Sequence, residues 1–351
     1  MSRDIARVQA RRELNHSVLD PMARLPLELQ SHIFLCVEHK SNFERKADPH
    51  DVPVVFLNVC HLWHVIALST PKLWTEIKID SLPRSTNYIT LYKNWMERTG
   101  TLPLSLLLGG FLDSKDTFGD LVKQHQDQVQ SLTLRWKLPS YPHPNNGKSV
   151  IYIQRCFPSL QKLAIYAKGN DVYASEEVLN EEEDLLDSVP LTLTSLEELR
   201  LGQPQLHDFR SKADVAILQY LSLPALRKLS LTFFGIDSDV DVVVSFFNRS
   251  SLPLESFSLS LGHVWPEGFA KRCLRSLPTL TVLELCSQSN EFSSFVTILG
   301  TSFNLFPNLR ALSLATFDTV AIDYTAVLQM LNMRRSTLLR KFQVYLEETL
   351  L

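Results

Sequence analysis

Six side chains able to bind metal lie near the start of the chain: His32, Cys36 and His39 recur at helical spacing, and Cys60, His61 and His64 follow close together. Cysteine and histidine in fours would hold zinc tetrahedrally. The spacing favours a plainer reading. It follows no finger pattern, and a helix through Cys60 puts that thiol on an apolar face while His61 points elsewhere. Ordinary helix residues are expected here, and no metal or other cofactor is assigned. A second group, Glu176, Glu177, Glu181, Glu182, Glu183 and Asp184, carries six negative charges with no Lys or Arg between them. With Val178, Leu179, Leu185 and Leu186 interleaved, it reads as one amphipathic helix with an acidic, solvated outer face.

Catalytic patterns are missing from the sequence. There is no GxSxG elbow and no HExxH helix. Only 11 glycines occur in 351 residues, and neither GxxxxGK[ST] nor GxGxxG is present, so loops that cradle phosphate have no material. An enzyme is not expected. A net charge of -3 and a pI near 6.4 oppose binding to a phosphate backbone. With 45% hydrophobic residues the chain can bury a sizeable core. Five scattered cysteines and the lack of a leader segment fit a reducing compartment, so a cytoplasmic or nuclear location is expected. No run of 18 apolar residues occurs, so no membrane span is expected.

The elements that carry these residues come from a repeat. VQSLTL at Val129, LQKLAI at Leu160, LEELRL at Leu196, LRKLSL at Leu226, LESFSL at Leu254, LTVLEL at Leu280, LRALSL at Leu309 and LRKFQV at Leu339 share apolar residues three and five places after the first. Four are preceded by FPSL, LPAL, LPTL or FPNL, in which proline stops the preceding element and launches a strand. Alternation at the fourth and sixth positions predicts a short strand with one buried face. Between the strands, ADVAILQYL, DVDVVVSFFNRS, PEGFAKRCLRSL, FSSFVTILGTSF and YTAVLQMLNMRRS have apolar residues at helical spacing. A strand-and-helix unit of about 30 residues cannot bury its own apolar face and must stack on its neighbours. The predicted class is α/β, with residues 1–20 as an amino-terminal helix or tail, 21–76 as a helical head and 77–351 as the repeat array.

The array resembles the long, helix-containing class of leucine-rich repeats. That resemblance implies an irregular solenoid with its parallel strands on the concave side and its helices outside. The family's turn asparagine or cysteine is replaced by Lys137, Lys168, Pro204, Phe234, Gly262, Gln288, Phe317 and Glu347, so no asparagine ladder is expected at that position. The resemblance further implies that side chains between the buried leucines line the hollow. Among them Arg135, Tyr166, Arg200, Lys228, Ser258, Glu284, Ser313 and Gln343 are the candidates for binding a target protein.

The head reads LPLELQSHIFLCV from Leu25, with Pro26 at a helix start and Leu25, Leu29, Ile33, Phe34 and Val37 on one stripe. A second helix is predicted through VVFLNVCHLWHVIAL, placing Phe56, Val59, Cys60, Trp63 and Ala67 on one face and ending near Ser69, before Pro71, Leu73 and Trp74. So small a head cannot cover all its apolar residues itself, which invites a partner. It is similar to the F-box, whose LP-x-E-x-x-x-x-I-(F/L), V-C-x-x-W and P-x-L-W pattern is met by Leu25, Pro26, Glu28, Ile33, Phe34, Val59, Cys60, Trp63, Pro71, Leu73 and Trp74. ALSTPKLW and WMERTGTLPLSLLL look like the F-box proteins of mushroom-forming fungi. The resemblance implies docking on a Skp-family adaptor, and through it a cullin, by Leu25, Pro26, Leu29, Ile33, Phe34, Val59, Cys60, Trp63 and Trp74. It also implies a non-catalytic substrate receptor of a ubiquitin ligase that binds its protein target through the repeats.

Overall fold

The computed structural model describes residues 21–37, 53–79, 86–109, 117–137, 157–168, 191–202, 215–233, 237–261, 277–287, 292–301, 305–316, 324–334 and 339–346. The helices are α1 Leu27–Cys36, α2 Val54–Leu57, α3 His61–Leu68, α4 Thr86–Arg98, α5 Thr117–Gln124, α6 Asp237–Ser250, α7 Phe292–Thr301 and α8 Tyr324–Met333. The strands are β1 Glu76–Ile79, β2 Leu104–Gly109, β3 Val129–Lys137, β4 Lys162–Lys168, β5 Leu191–Thr192, β6 Glu198–Leu201, β7 Leu221–Ser222, β8 Lys228–Phe233, β9 Ser256–Leu261, β10 Val282–Ser287, β11 Ala311–Thr316 and β12 Lys341–Leu346. This is a mixed α/β protein on a sheet of ten strands, ordered β1-β2-β3-β4-β6-β8-β9-β10-β11-β12. The chain divides into two compact units, Met1–Leu107 with Leu112–Gln128, and Leu108–Phe111 with Val129–Leu351.

In the second unit, strands fall on all eight repeat matches, and all seven neighbouring pairs are parallel. Their register aligns two apolar rows. One runs Leu132, Leu163, Leu199, Leu229, Phe257, Leu283, Leu312, Phe342, and the other runs Leu134, Ile165, Leu201, Leu231, Leu259, Leu285, Leu314, Val344. From β3 to β11 every member of both rows is buried. Each such side chain contributes about 1.5–3 kcal/mol by leaving water, so the rows fix the register.

The proline lead-ins are turns. Leu160, Leu226, Leu280 and Leu309 donate backbone N–H bonds to the carbonyls of Phe157, Leu223, Leu277 and Phe306, three residues earlier. Proline occupies the second turn position in each, where its fixed φ is favoured. Beyond the turn, one carbonyl per unit accepts two N–H groups from the next: Gln161 from Glu197 and Glu198, Glu197 from Arg227 and Lys228, Arg227 from Glu255 and Ser256, and so on to Arg310 with Arg340 and Lys341. Side chains add rungs at the turns themselves. Ser195 donates to the Pro158 carbonyl at 3.1 Å, and Asn308 Nδ2 donates to the Pro278 carbonyl at 3.0 Å.

Two arginines tie units together from within. Arg249, in the last turn of α6, donates from Nη2 to the Leu218 carbonyl at 2.6 Å and the Leu221 carbonyl at 2.9 Å. Arg334, just past α8 and 2% exposed, donates from Nε to the Leu299 carbonyl and from Nη2 to the Leu305 carbonyl. Both stand five residues before the first leucine of the following match, Leu254 and Leu339, and Arg155 and Arg275 hold the same sequence position. Desolvation lowers the pKa of both Arg249 and Arg334.

One expected helix takes a different form, and one strand end carries a local constraint. ADVAILQYL forms a short 3-10 helix, Val215–Tyr220, leading directly into β7, which pairs with β5 in a separate two-stranded sheet. At the end of β6, Gly202 takes φ +91°, and a Cβ there would meet Thr232 Cβ at 2.6 Å, so only glycine fits against β8. The acidic run and PEGFAKRCLRSL up to Ser276 lie outside the described residues, as do residues 1–20 and His39.

In the first unit, α1–α3 and the 3-10 turn Pro71–Trp74 close around Phe34, Phe56, Ile66, Ala67, Leu73 and Trp74. Trp95 of α4 joins this core: its Nε1 donates to the Trp74 carbonyl at 3.0 Å, and its ring meets Trp74 edge-on. Arg98 lies over the Trp74 ring, 4.5 Å from its centroid. The head helices therefore share a core with α4, which lies beyond residue 76.

Candidate protein-interaction surfaces

The predicted second head helix is in fact two. Asn58 ends α2 by donating its backbone N–H to the Val55 carbonyl and its side-chain amide to the Val54 carbonyl. Asparagine competes with the helix for its own backbone in this way. Cys60 is extended, at φ −160° and ψ 170°, and its carbonyl accepts the His64 N–H that opens α3. The break turns Val59 and Cys60 outward, whereas a continuous helix would have put them on the face with Phe56.

The nine head residues fall into three sets. Phe34 and Trp74 are core. Phe34 stacks on Phe56 with ring centroids 4.2 Å apart, and Trp74 is fully buried with its Nε1 donating to the Ala67 carbonyl at 2.9 Å. This corrects their expected role as contacts: a side chain closed off on every side supports a surface without being part of it. Leu29 is 50% exposed, Ile33 41% and Val59 51%, and Pro26 and Cys60 are also exposed. Leu25 and Trp63 are half-buried, with Trp63 tilted onto Phe34 at 5.1 Å.

Further apolar side chains at the surface of the same helices are Leu27, Val37, Val55, Val65 and Leu68. Among the described residues, eight large exposed hydrophobic side chains thus lie from Leu27 to Leu68, a concentration that marks the region as a candidate interaction surface. Two side chains hold this region in shape. Gln30 is buried and donates from Nε2 to the carbonyls of Met22 and Leu25, each at 2.7 Å, which pins the Leu25–Pro26 corner to α1. The Thr70 hydroxyl lies 2.7 Å from the Ile66 carbonyl and 3.0 Å from the Ser31 hydroxyl, joining the end of α3 to α1. Neither was legible in the sequence, because a polar residue inside an apolar motif gives no signal until its partners are placed.

In the repeats, the candidates fall into three cross-strand rows. Arg200, Ser258, Glu284, Ser313 and Gln343 share one row with Thr133, Ala164 and Ser230. Lys228 belongs to the row before it, opposite Glu198, while Arg135 and Tyr166 pair in the row after it. Tyr166 is buried, against expectation. Leu163 to Tyr166 are all buried, so β4 is covered on both faces at that point, as parallel strands commonly are. The side chain of Arg135 lies outside the described residues. Arg200, Lys228 and Glu284 are exposed, and Ser258, Ser313 and Gln343 are half-buried. Arg200 is also paired with Glu198 on its own strand at 2.6 Å, so its charge is already answered.

Among the described residues no three His, Cys, Asp or Glu side chains gather as a metal ion would require. The His64 Nδ1 lies 3.1 Å from the Leu57 carbonyl. No described helix is long and apolar enough to cross a membrane.

The fold thus defines a mixed α/β protein built on a large sheet with consecutive parallel strands. No family model and no curated protein matches the chain. Among solved structures it is similar to a Bacteroides fragilis protein determined by a structural genomics consortium, at 12% identity, a TM-score of 0.35, and coverage of 70% of this chain and 76% of that one.

Proposed function

We propose that the chain is a non-catalytic substrate receptor whose F-box-like head docks on a Skp-family adaptor and, through it, a cullin, while a leucine-rich solenoid holds a protein target. One observation carries the reading. Within the motif, the residues at Pro26, Leu29, Ile33, Val59 and Cys60 are at the surface and Phe34 and Trp74 form the core beneath them. A face of this composition is costly to leave in water and is suited to an apolar partner. The receptor would act by proximity, raising the effective concentration of target near a ubiquitin-loaded enzyme. The solenoid would offer the row through Arg200, Ser258, Glu284 and Ser313, with the exposed Lys228 beside it, as the target surface. Strand-borne side chains need little ordering on binding.

The test is capture of a purified Skp-family adaptor by the full chain. Wild type should form a one-to-one complex, and L29S combined with I33S should weaken it at least about tenfold, as expected for apolar anchors. Equal binding by the doubly substituted chain, with an unchanged unfolding midpoint, would overturn the docking face. No binding by wild type would leave a stand-alone repeat scaffold.

A further inference from the structure

The residues just before the strands form a row whose pattern of charge changes part-way along the sheet. Backbone N–H groups of Arg227, Glu255, Thr281, Arg310 and Arg340 donate in turn to the carbonyls of Glu197, Arg227, Glu255, Thr281 and Arg310, so the row runs side by side from unit to unit. In its early part the signs alternate. Arg227 Nη1 donates to Glu255 Oε1 at 2.6 Å, which shows that side chains in neighbouring places of this row can meet. One place along the chain, Lys162, Glu198 and Lys228 lie opposite one another on β4, β6 and β8 in the same alternation.

The later part carries cations alone. Arg310 stands between Thr281 and Arg340, and Lys341 follows Arg340 at the start of β12. All three are exposed, and none has a carboxylate partner among the described residues. The neighbouring sequence supplies no acid either, since no Asp or Glu occurs in residues 268–283, 292–317 or 324–346. Glu255 is held by Arg227, and Glu284 stands three residues beyond Thr281, a separation of about 10 Å along the strand. Like charges side by side are unfavourable. An anion set between them would replace that repulsion with charge-assisted hydrogen bonds.

We propose, building on the reading of the repeats as a target-binding array, that Arg310, Arg340 and Lys341 form a docking point for a carboxylate-rich segment of the target protein. Guanidinium groups on adjacent units suit carboxylates spaced along an extended chain, because each can bind one in bidentate fashion. A net charge of -3 gives no long-range attraction for a nucleic acid, whereas a short acidic segment needs only the local cluster.

The probe is a fluorescein-labelled decaglutamate peptide, titrated with the full chain at low salt and followed by anisotropy. Wild type should bind it, and salt at about 1 M, which shortens the screening length to about 3 Å, should abolish binding. Arg310→Glu and Arg340→Glu should each weaken binding about threefold, and the triple change with Lys341→Glu about tenfold or more. Lys162→Glu alters net charge equally where the signs already alternate, and should leave binding within about twofold. The triple variant should also bind a decalysine peptide more tightly than wild type does, a gain that simple loss of structure would not give. A wild type indifferent to decaglutamate, or an equal loss from Lys162→Glu, would overturn the docking point. So would a triple variant with an unchanged unfolding midpoint that keeps its decaglutamate binding or gains no affinity for decalysine. Adaptor capture by the same preparations should be untouched by these changes. Absence of capture by wild type, with peptide binding intact, would overturn the receptor reading and leave the acidic docking point standing.

Discussion

The head and the repeat array use apolar residues in opposite ways. Along β3–β11 every apolar row position is buried, and each row continues from strand to strand with no change of register. In the head, the same kinds of residue divide between a core around Phe34 and Trp74 and a surface of Leu29, Ile33 and Val59. A repeat can complete its core with the next copy of itself, whereas a head of three short helices has too little volume to surround all its apolar groups. Stability is therefore expected to reside in the rows, and the head's exposed residues should matter mainly to binding.

The sharpest way to break this contrast is Phe257→Ala. Phe257 lies in the middle of a row and meets Phe247 of α6 edge-on at 5.8 Å, so truncation should cost about 3–5 kcal/mol in denaturant unfolding. A cost under about 1 kcal/mol would mean the rows are not the source of stability. Next comes Arg334→Met, which keeps bulk and removes the donors to the Leu299 and Leu305 carbonyls. A loss of about 3 kcal/mol is expected from leaving buried acceptors unpaired. The matching change at the less buried Arg249 should cost less, since water can reach its carbonyls.

In the head, Gln30→Leu removes the bonds to the Met22 and Leu25 carbonyls. It should destabilise the chain by about 2 kcal/mol and reduce adaptor capture through the Leu25–Pro26 corner. Hydrogen exchange at Leu25 and Gln30, whose amides are bonded to the Met22 and Pro26 carbonyls, would report the loosening directly. The smallest effect on stability belongs to Val59→Ser, expected within about 0.5 kcal/mol in the same unfolding measurement because the side chain already faces solvent. A large loss there would place Val59 in the core and erase the contrast between the two regions.

Much of the array was legible in the sequence. The positions of the eight strands follow from alternation and spacing, because a period of two with a fixed repeat length allows one arrangement that buries every leucine. The strands β1 and β2 and the two-stranded sheet of β5 and β7 were not, because they lie outside the repeat pattern. The helical, apolar character of the head was also legible, but which of its apolar residues face outward was not. A helical stripe assigns Phe34 and Ile33 to one face, and Phe56 and Val59 to another, with no means of ranking them.

The sequence by itself determined the parallel repeat, its register and the apolar character of the head, since these depend on residue type and spacing along the chain. Only the tertiary structure decided that Trp74 is closed off by Trp95 and Arg98, that Cys60 interrupts a helix, that Tyr166 is covered, and that Gln30, Arg249 and Arg334 bind carbonyls 5 to 35 residues away in the chain. The reason is physical. A periodic pattern is local information, whereas burial and the pairing of a polar side chain depend on which distant backbone groups the fold brings within hydrogen-bond reach.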